Sequence, residues 1–286
     1  MKIETNSEKL LFSTIKIEVS LPKGSGSGTG FFFAHPITHA GKETEFGCIV
    51  TNKHVIENST GGRLVFTKKG KDGQPIIGDS FTLDIHQNAW KDMWLGHPDP
   101  SIDIAITPFG PIITHLKEQY GVEIYCSWVM PALIPTDEQL ASLNVMETVV
   151  FVGYPNGLWD TKNLVPIMRK GTTATPLALD FEGEPKFLID ASVFGGSSGS
   201  PVFILDDGVF TDRNGNANFG SRIHFIGVIA AVYHKTDLNA VVPIAIPTQF
   251  QAGVEIKQMI DLGIAFKSKT VIETIQHFIK LNPPKK

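Results

Sequence analysis

The chain is poor in cysteine and has no long apolar run. Only Cys48 and Cys126 are present among 286 residues, which excludes the dense disulfide framework of small secreted domains. No stretch approaches the roughly 20 apolar residues of a membrane span. The first residues also lack the apolar core of a secretory signal. These absences predict a cytoplasmic protein that does not contact a membrane.

A strong excess of either charge is also missing. The chain has 25 Lys and Arg against 29 Asp and Glu, for a net charge of −4. Basic residues cluster only at 68–71, which is typical of a solvated hairpin tip, and in the Lys pair at the C-terminus. An extended basic surface is therefore excluded, and no nucleic-acid partner is expected.

Glycine and proline, in contrast, are abundant, with 27 and 18 residues. They separate short apolar runs, such as the alternating segment 14–19, which is typical of a half-buried strand. Many short strands joined by turns predict an all-β fold. Helical patterns are confined to a capped segment at 136–143 and to two C-terminal segments, 248–262 and Lys269–Leu281.

The most informative segment spans residues 194–203 and reads Phe-Gly-Gly-Ser-Ser-Gly-Ser-Pro-Val-Phe. Glycines on both sides of a serine allow a tight turn that exposes a hydroxyl and converges backbone N–H groups. An ordinary β-turn remains an alternative for this run alone. Two other segments carry matching chemistry: His54 follows the apolar run 47–51, and Asp103 opens the alternating run 102–107. A carboxylate beside an imidazole fixes the tautomer of the imidazole.

Taken in the order His54, Asp103, Ser198, these segments resemble the signature blocks of trypsin-like, chymotrypsin-fold serine proteases. The resemblance covers about residues 10–262. It is closest to compact bacterial members such as the protease domain of the high-temperature-requirement family, whose glycine-rich entry is matched by residues 26–31. It implies two antiparallel six-stranded β-barrels with one or more C-terminal helices.

The same resemblance divides the chain into four parts. Residues 1–110 form an N-terminal barrel that carries His54 and Asp103. Residues 111–145 connect the barrels, and residues 146–247 form a C-terminal barrel that carries Ser198. Residues 248–286 form a helical tail.

The resemblance also implies a mechanism. Ser198 attacks a peptide carbonyl to form an acyl-enzyme, His54 accepts its proton, and Asp103 orients His54. The backbone N–H groups of Gly196 and Ser198 bind the oxyanion, and no cofactor or metal is needed. A rival interpretation makes Ser197 the nucleophile of an α/β-hydrolase elbow. That fold requires a helix after the serine, whereas an apolar strand is expected here.

Specificity is partly indicated by residues near the expected pocket. Ser192 is uncharged, which argues against a preference for Lys or Arg, and residues 227–232 resemble the strand that pairs with substrate. Within that strand Ala230, Ala231 and Val232 would line the site, and Val232 favours small or medium apolar side chains.

The expected partners are a peptide or protein substrate and a regulatory protein. The second partner is inferred because Ser197 replaces the aspartate that zymogens use in activation by N-terminal cleavage. The alternative function is a catalytically silent scaffold that keeps the protease fold, since a fold alone does not guarantee activity.

Overall fold

The computed structural model describes residues 2–39, 41–238 and 255–283. Strands dominate these ranges and form two antiparallel sheets. The first sheet has seven strands in the order β5-β4-β1-β2-β3-β7-β6. Its strands are β1 (Thr14–Ser20), β2 (Ser25–His39), β3 (Lys42–Thr51), β4 (Gly61–Lys69), β5 (Pro75–His86), β6 (Leu95–Gly96) and β7 (Ala105–Pro108).

The second sheet is a closed six-stranded barrel in the order β10-β13-β12-β11-β8-β9. Its strands are β8 (Thr148–Gly153), β9 (Ile167–Thr173), β10 (Lys186–Asp190), β11 (Pro201–Thr211), β12 (Ala217–Leu238) and β13 (Glu255–Lys267). β11 and β12 extend beyond the barrel as a long hairpin that turns at residues 212–216, which contain an Asn-Gly pair typical of hairpin turns.

Short helices lie between the strands and near both ends of the chain. They are α1 (Asn6–Leu11), α2 (Lys53–Ile56), α3 (Gln87–Met93), α4 (Gly110–Tyr120), α5 (Asp137–Ser142) and α6 (Lys269–Leu281). Single 3-10 turns lie at Pro131–Leu133, Pro155–Gly157 and Phe181–Gly183. The capped helix predicted at 136–143 is α5, whose N-cap Thr136 forms a capping box with Gln139.

The predicted all-β fold with two antiparallel β-barrel domains is confirmed, with two differences in detail. The first sheet has seven strands instead of six, because the short β6 pairs with β7 at its edge. β7 begins at Ala105 and not at residue 102. The expected strand at 240–246 lies outside the described residues.

The helix predicted over 248–262 is wrong from Glu255 onward. Residues Glu255–Lys267 form β13, which pairs with β10 and β12 and completes the second barrel beyond the predicted boundary at 247. Apolar residues spaced for a helix face were outweighed by the unpaired edges of β10 and β12, which a strand satisfies. The other predicted C-terminal helix is α6, with the same ends.

Three consecutive phenylalanines in β2 join the two sheets. Successive side chains of a strand point to opposite faces, so Phe32 packs in the core of the first sheet, while Phe31 and Phe33 contact Phe225 of the second barrel. The ring centroids of Phe31 and Phe225 lie 5.4 Å apart. β2 is therefore buried on both faces, and its continuous apolar run fixes the contact between the barrels.

Helix α6 follows the last strand of the second barrel but packs against the first sheet. Its Val271 and Ile275 are fully buried, and Phe278 stacks on Phe46 of β3 at 5.1 Å. Glu273 of the same helix approaches Nε2 of His97, just beyond β6, at 3.2 Å. The helix thereby ties the two barrels together.

Candidate active site

His54 and Asp103 form a directly bonded pair. His54 lies in the first turn of α2, immediately after β3, and its Nδ1 is 2.5 Å from Oδ2 of Asp103. The backbone N–H of His54 also donates to Oδ1 of Asp103 at 3.1 Å. Because a carboxylate only accepts, a neutral His54 carries its proton on Nδ1 and leaves Nε2 with a free lone pair. The pair thus presents a base.

The backbone around Asp103 is fixed by the residue that precedes the helix of His54. Asp103 lies in the segment between β6 and β7, and its carbonyl accepts a 2.6 Å hydrogen bond from Nδ2 of the buried Asn52. Asn52 also precedes α2 as its N-cap residue. One side chain therefore couples the loop of Asp103 to the start of the helix that carries His54.

Ser198 lies in a tight turn that requires two glycines. Gly196 and Gly199 adopt φ of +81° and +87°, which side chains with a Cβ rarely adopt. A Cβ at Gly199 would also overlap the carbonyl oxygen of Thr29. The turn is anchored on β2, because the backbone N–H of Thr29 donates to the carbonyl of Ser198 at 2.9 Å.

The hydroxyl of Ser198 points toward β12. Its Oγ donates to the carbonyl of Ala230 at 3.4 Å, where a β-bulge between Ile229 and Ala231 interrupts the pairing with β13. Within the described ranges no hydrogen bond joins Ser198 to His54. Catalytic hydrogen bonds are often long before substrate binds.

Two peptide groups before Ser198 are held in fixed orientations. The carbonyl of Gly195 accepts from the backbone N–H of Asn156 at 2.5 Å, and the carbonyl of Gly196 accepts from Oγ1 of Thr29 at 2.9 Å. In a trans peptide the N–H points opposite to the preceding C=O, so the N–H of Gly196 points away from Asn156. Over the described part of the chain neither this N–H nor that of Ser198 has an intramolecular acceptor. Both donors are free to bind an oxyanion.

The sequence model of the trypsin-like peptidase domain matches residues 28–210, which include His54, Asp103 and Ser198. The chain belongs to the trypsin-like peptidase family. No curated protein matches the chain in sequence.

Solved structures support the fold of this trypsin-like peptidase. The HtrA-type protease AlgW with a tripeptide superposes with a TM-score of 0.50 at 13% identity, over 96% of this chain and 62% of AlgW. The chain thus spans less than two thirds of the length of AlgW. The serine endoprotease from Yersinia pestis gives a TM-score of 0.45 at 12% identity, over 98% of this chain and 68% of the endoprotease. The predicted likeness to the high-temperature-requirement proteases is confirmed for the fold.

Thr29 is a central residue of the trypsin-like site that sequence reasoning missed. It is fully buried, and its Oγ1 accepts from the N–H of Tyr154 at 3.1 Å while donating to Gly196. Its carbonyl accepts from Oγ1 of Thr51 at 2.8 Å. Thr29 therefore links both barrels to the turn of Ser198. A polar β-branched residue among the glycines of segment 26–31 was the available signal.

The predicted specificity residues occupy different environments in this peptidase. Ser192 is half-buried in the loop that leads into the turn of Ser198. Ala230 is buried and contacts the hydroxyl of Ser198 through its carbonyl, whereas Ala231 is exposed. Val232 packs against the core of the second barrel. The structure thus brings Ala230 to Ser198 and directs the side chain of Val232 into the barrel.

The described residues contain neither a metal-binding cluster nor a reactive thiol. No group of three or more His, Cys, Asp or Glu side chains there could hold a metal ion. Burial raises the pKa of the Cys126 thiol to about 12 and that of Cys48 further still, so neither thiol is a nucleophile at neutral pH. Helices of the described ranges are too short or too polar to cross a bilayer.

Proposed function

We propose that the protein is a serine endopeptidase that works through His54, Asp103 and Ser198. The observation that carries the proposal is that Thr29 connects the turn of Ser198 to Thr51, three residues before His54. Beside this connection Asp103 holds His54 as a base, the serine lies in a glycine turn, and the N–H groups of Gly196 and Ser198 have no acceptor among the described residues. These are the parts that acyl transfer requires.

In the proposed reaction Ser198 Oγ attacks the carbonyl carbon of the scissile peptide and gives its proton to Nε2 of His54. Asp103 stabilises the imidazolium through Nδ1–H. The N–H groups of Gly196 and Ser198 bind the negative oxygen of the tetrahedral intermediate. His54 then protonates the leaving amine, which releases the C-terminal product and leaves an acyl-enzyme. Water attacks that ester with His54 as base and regenerates Ser198.

The proposed substrate is a peptide or protein with a small or medium apolar residue before the scissile bond. Ser192 supplies no charge to attract Lys or Arg, and the preference for small or medium side chains is carried over from the resemblance, since the side chain of Val232 packs into the barrel. Residues Ala230–Val232 would pair with the substrate backbone by strand addition. A cleavage profile dominated by Lys or Arg would refute this specificity.

A regulatory protein partner and a cytoplasmic location are also proposed. Both cysteines are free, which fits a reducing compartment. Ser197 has no charge with which to form a zymogen-type ion pair, so control by a partner or by loop ordering is expected. Recovery of the native protein in a secreted fraction would contradict the location. Full peptidase activity of the purified chain, unchanged by cell extract, would contradict the need for a partner.

The proposed activity is tested by mass spectrometry of a proteome-derived peptide library after incubation with the protein. Ser198→Ala is expected to abolish cleavage. Ser197→Ala is a matched control, because Oγ of Ser197 is buried without a partner among the described residues, and it is expected to retain cleavage. Loss of cleavage in Ser197→Ala alone would instead make Ser197 the nucleophile.

A catalytically silent scaffold is the second candidate. It is favoured by one observation, the hydrogen bond of Ser198 to Ala230 in place of His54. The scaffold would be supported if the wild-type protein cleaves no library peptide, with or without cell extract, and yet binds peptides with the same affinity as the Ser198→Ala protein.

A further inference from the structure

A cavity of about 580 Å³ borders the turn of Ser198 on the side away from β12. Its walls include Gly195, Gly196 and the hairpin of β1 and β2. In the described ranges β12 contributes no residue to its lining. Because the proposed function places the acyl part of the substrate along β12, the peptide that follows the scissile bond leaves along the opposite wall. The cavity therefore lies on the leaving-group side.

The charged residues that line this cavity come from two neighbouring strands. Lys16 and Glu18 lie two apart on β1 and share a face, and Arg63 of β4 is directly opposite Glu18. Glu18 bonds both cations, with Lys16 Nζ at 2.9 Å and Arg63 Nη2 at 2.7 Å. Two cations against one carboxylate leave the group of three with a single net positive charge. Asp84 of β5 lies opposite Arg63 in the strand register, on the side away from β1.

Of the two cations that line the cavity, Lys16 is the one in contact with the segment that holds the turn of Ser198. Its Cε lies 3.9 Å from where a Cβ on Gly157 would be, and Gly157 follows Asn156, which holds the peptide of Gly195. Nζ of Lys16 also lies 4.9 Å from the ring centre of Trp159. The side chain of Lys16 is only 11% exposed, so its charge is less screened than that of a surface lysine.

We propose that this cavity is a subsite for a carboxylate on the leaving-group side of the substrate, with Lys16 as its principal cation. The carboxylate belongs to an Asp or Glu in the first or second position after the scissile bond, or to a chain end at that position. An extended peptide rises about 3.3 Å per residue, so these are the positions that a cavity bordering Gly196 receives. The inference rests on the proposed peptidase function.

The test compares kcat/KM for peptides that differ only after the scissile bond. One series carries Glu, Gln or Lys at the first or second position, and another ends there with a free acid or an amide. Glu is expected to exceed Gln by about 5-fold and Lys by more, the size of a partly buried ion pair. An effect in the first series assigns the carboxylate to a side chain, and an effect in the second assigns it to a chain end.

Two variants set the sign of the effect, and each is read as the ratio of Glu to Gln. Lys16→Met keeps an apolar stem against Trp159 and is expected to bring the ratio to about one. Glu18→Gln removes the competing carboxylate and is expected to raise it. Lys117→Met, an exposed lysine of α4, is the control and should keep the wild-type ratio.

The wild-type protein alone also tests the subsite, since the ratio should fall between 0.05 and 0.5 M salt as the ion pair is screened. Cleavage with no preference for Glu in wild type, or a preference unchanged in Lys16→Met, overturns the subsite and leaves the peptidase proposal standing. A preference for Lys assigns the cavity to Glu18 and also overturns it. Absence of cleavage for every peptide overturns the peptidase proposal, and the subsite with it.

Discussion

The hydroxyl of Thr29 offers the sharpest perturbation of the site, because Thr29→Val removes one oxygen without changing the shape of the side chain. In wild type this oxygen accepts from the N–H of Tyr154 and donates to the carbonyl of Gly196. Valine would leave both backbone groups without that partner in a region where Thr29 is fully buried. An unsatisfied buried group costs about 1–3 kcal/mol, so the variant should lose about 2–4 kcal/mol of the free energy of unfolding.

The loss should also reach catalysis. When the carbonyl of Gly196 is released, the peptide groups around Gly196 can rotate, and the oxyanion donor is no longer fixed. Removal of one such donor costs about 10²–10³ in kcat in comparable sites, and partial misorientation should cost about 10-fold or more. Because the effect falls on the transition state, kcat should drop while KM changes little.

The assay combines urea denaturation with peptide kinetics. Thr29→Ser restores the hydroxyl and is expected to recover most of kcat, although it loses a buried methyl. A Thr29→Val protein with wild-type stability and wild-type kcat would show that the hydroxyl neither stabilises the fold nor holds the turn of Ser198. Equal loss of kcat in Thr29→Ser and Thr29→Val would show that packing, and not the hydroxyl, is responsible.

Three further predictions concern the fold. Gly199→Ala should cost about 3 kcal/mol or more of unfolding free energy, because the new Cβ would combine a positive φ with overlap of the Thr29 carbonyl. Gly215→Ala, which has a positive φ but open space around it, should cost about 1 kcal/mol. Equal losses measured in urea would contradict the role of the overlap. Burial raises the pKa of the Cys126 thiol to about 12. The thiol should therefore resist iodoacetamide at pH 8 in the native protein and react in urea, as followed by mass spectrometry. Rapid alkylation of Cys126 in the native protein would contradict its burial. The hydrogen bond from Lys267 holds the pKa of Asp180 below its usual range. The stabilising contribution of the Asp180 carboxylate is therefore present at neutral pH and is lost as the pH falls below about 4. In urea denaturation, the difference in unfolding free energy between wild type and Asp180→Asn should narrow on acidification, and a difference that widens would contradict this prediction.

The fold could be predicted from the sequence where local patterns and long-range packing agree. Alternation in β1, the capping box of α5 and the amphipathic pattern of α6 each specify an element by themselves. β13 could not be predicted from its own residues, because its state is decided by pairing with β10 and β12, which are distant in sequence. Tertiary context overrides local preference in such strands.

The site shows the same division. His54 and Ser198 stand out because their flanking residues are constrained by the chemistry, and the carboxylate of Asp103 is indeed bonded to His54. Thr29 and Asn156 did not stand out, since both act through contacts with Gly195 and Gly196 that only the folded chain creates. The charges at Lys16, Glu18 and Arg63 become a group only when β1 and β4 are paired in register.

Mapping of a fluorophosphonate adduct identifies the nucleophile, which is proposed to be Ser198. The inhibitor reacts fastest with a serine that has both a base and an oxyanion site, so a labelled protein digested and sequenced by mass spectrometry reports the residue itself. One adduct is expected, on Ser198, which disappears in Ser198→Ala and persists in Ser197→Ala. No adduct on the wild-type protein, or an adduct on Ser197 or Ser200, would contradict that assignment.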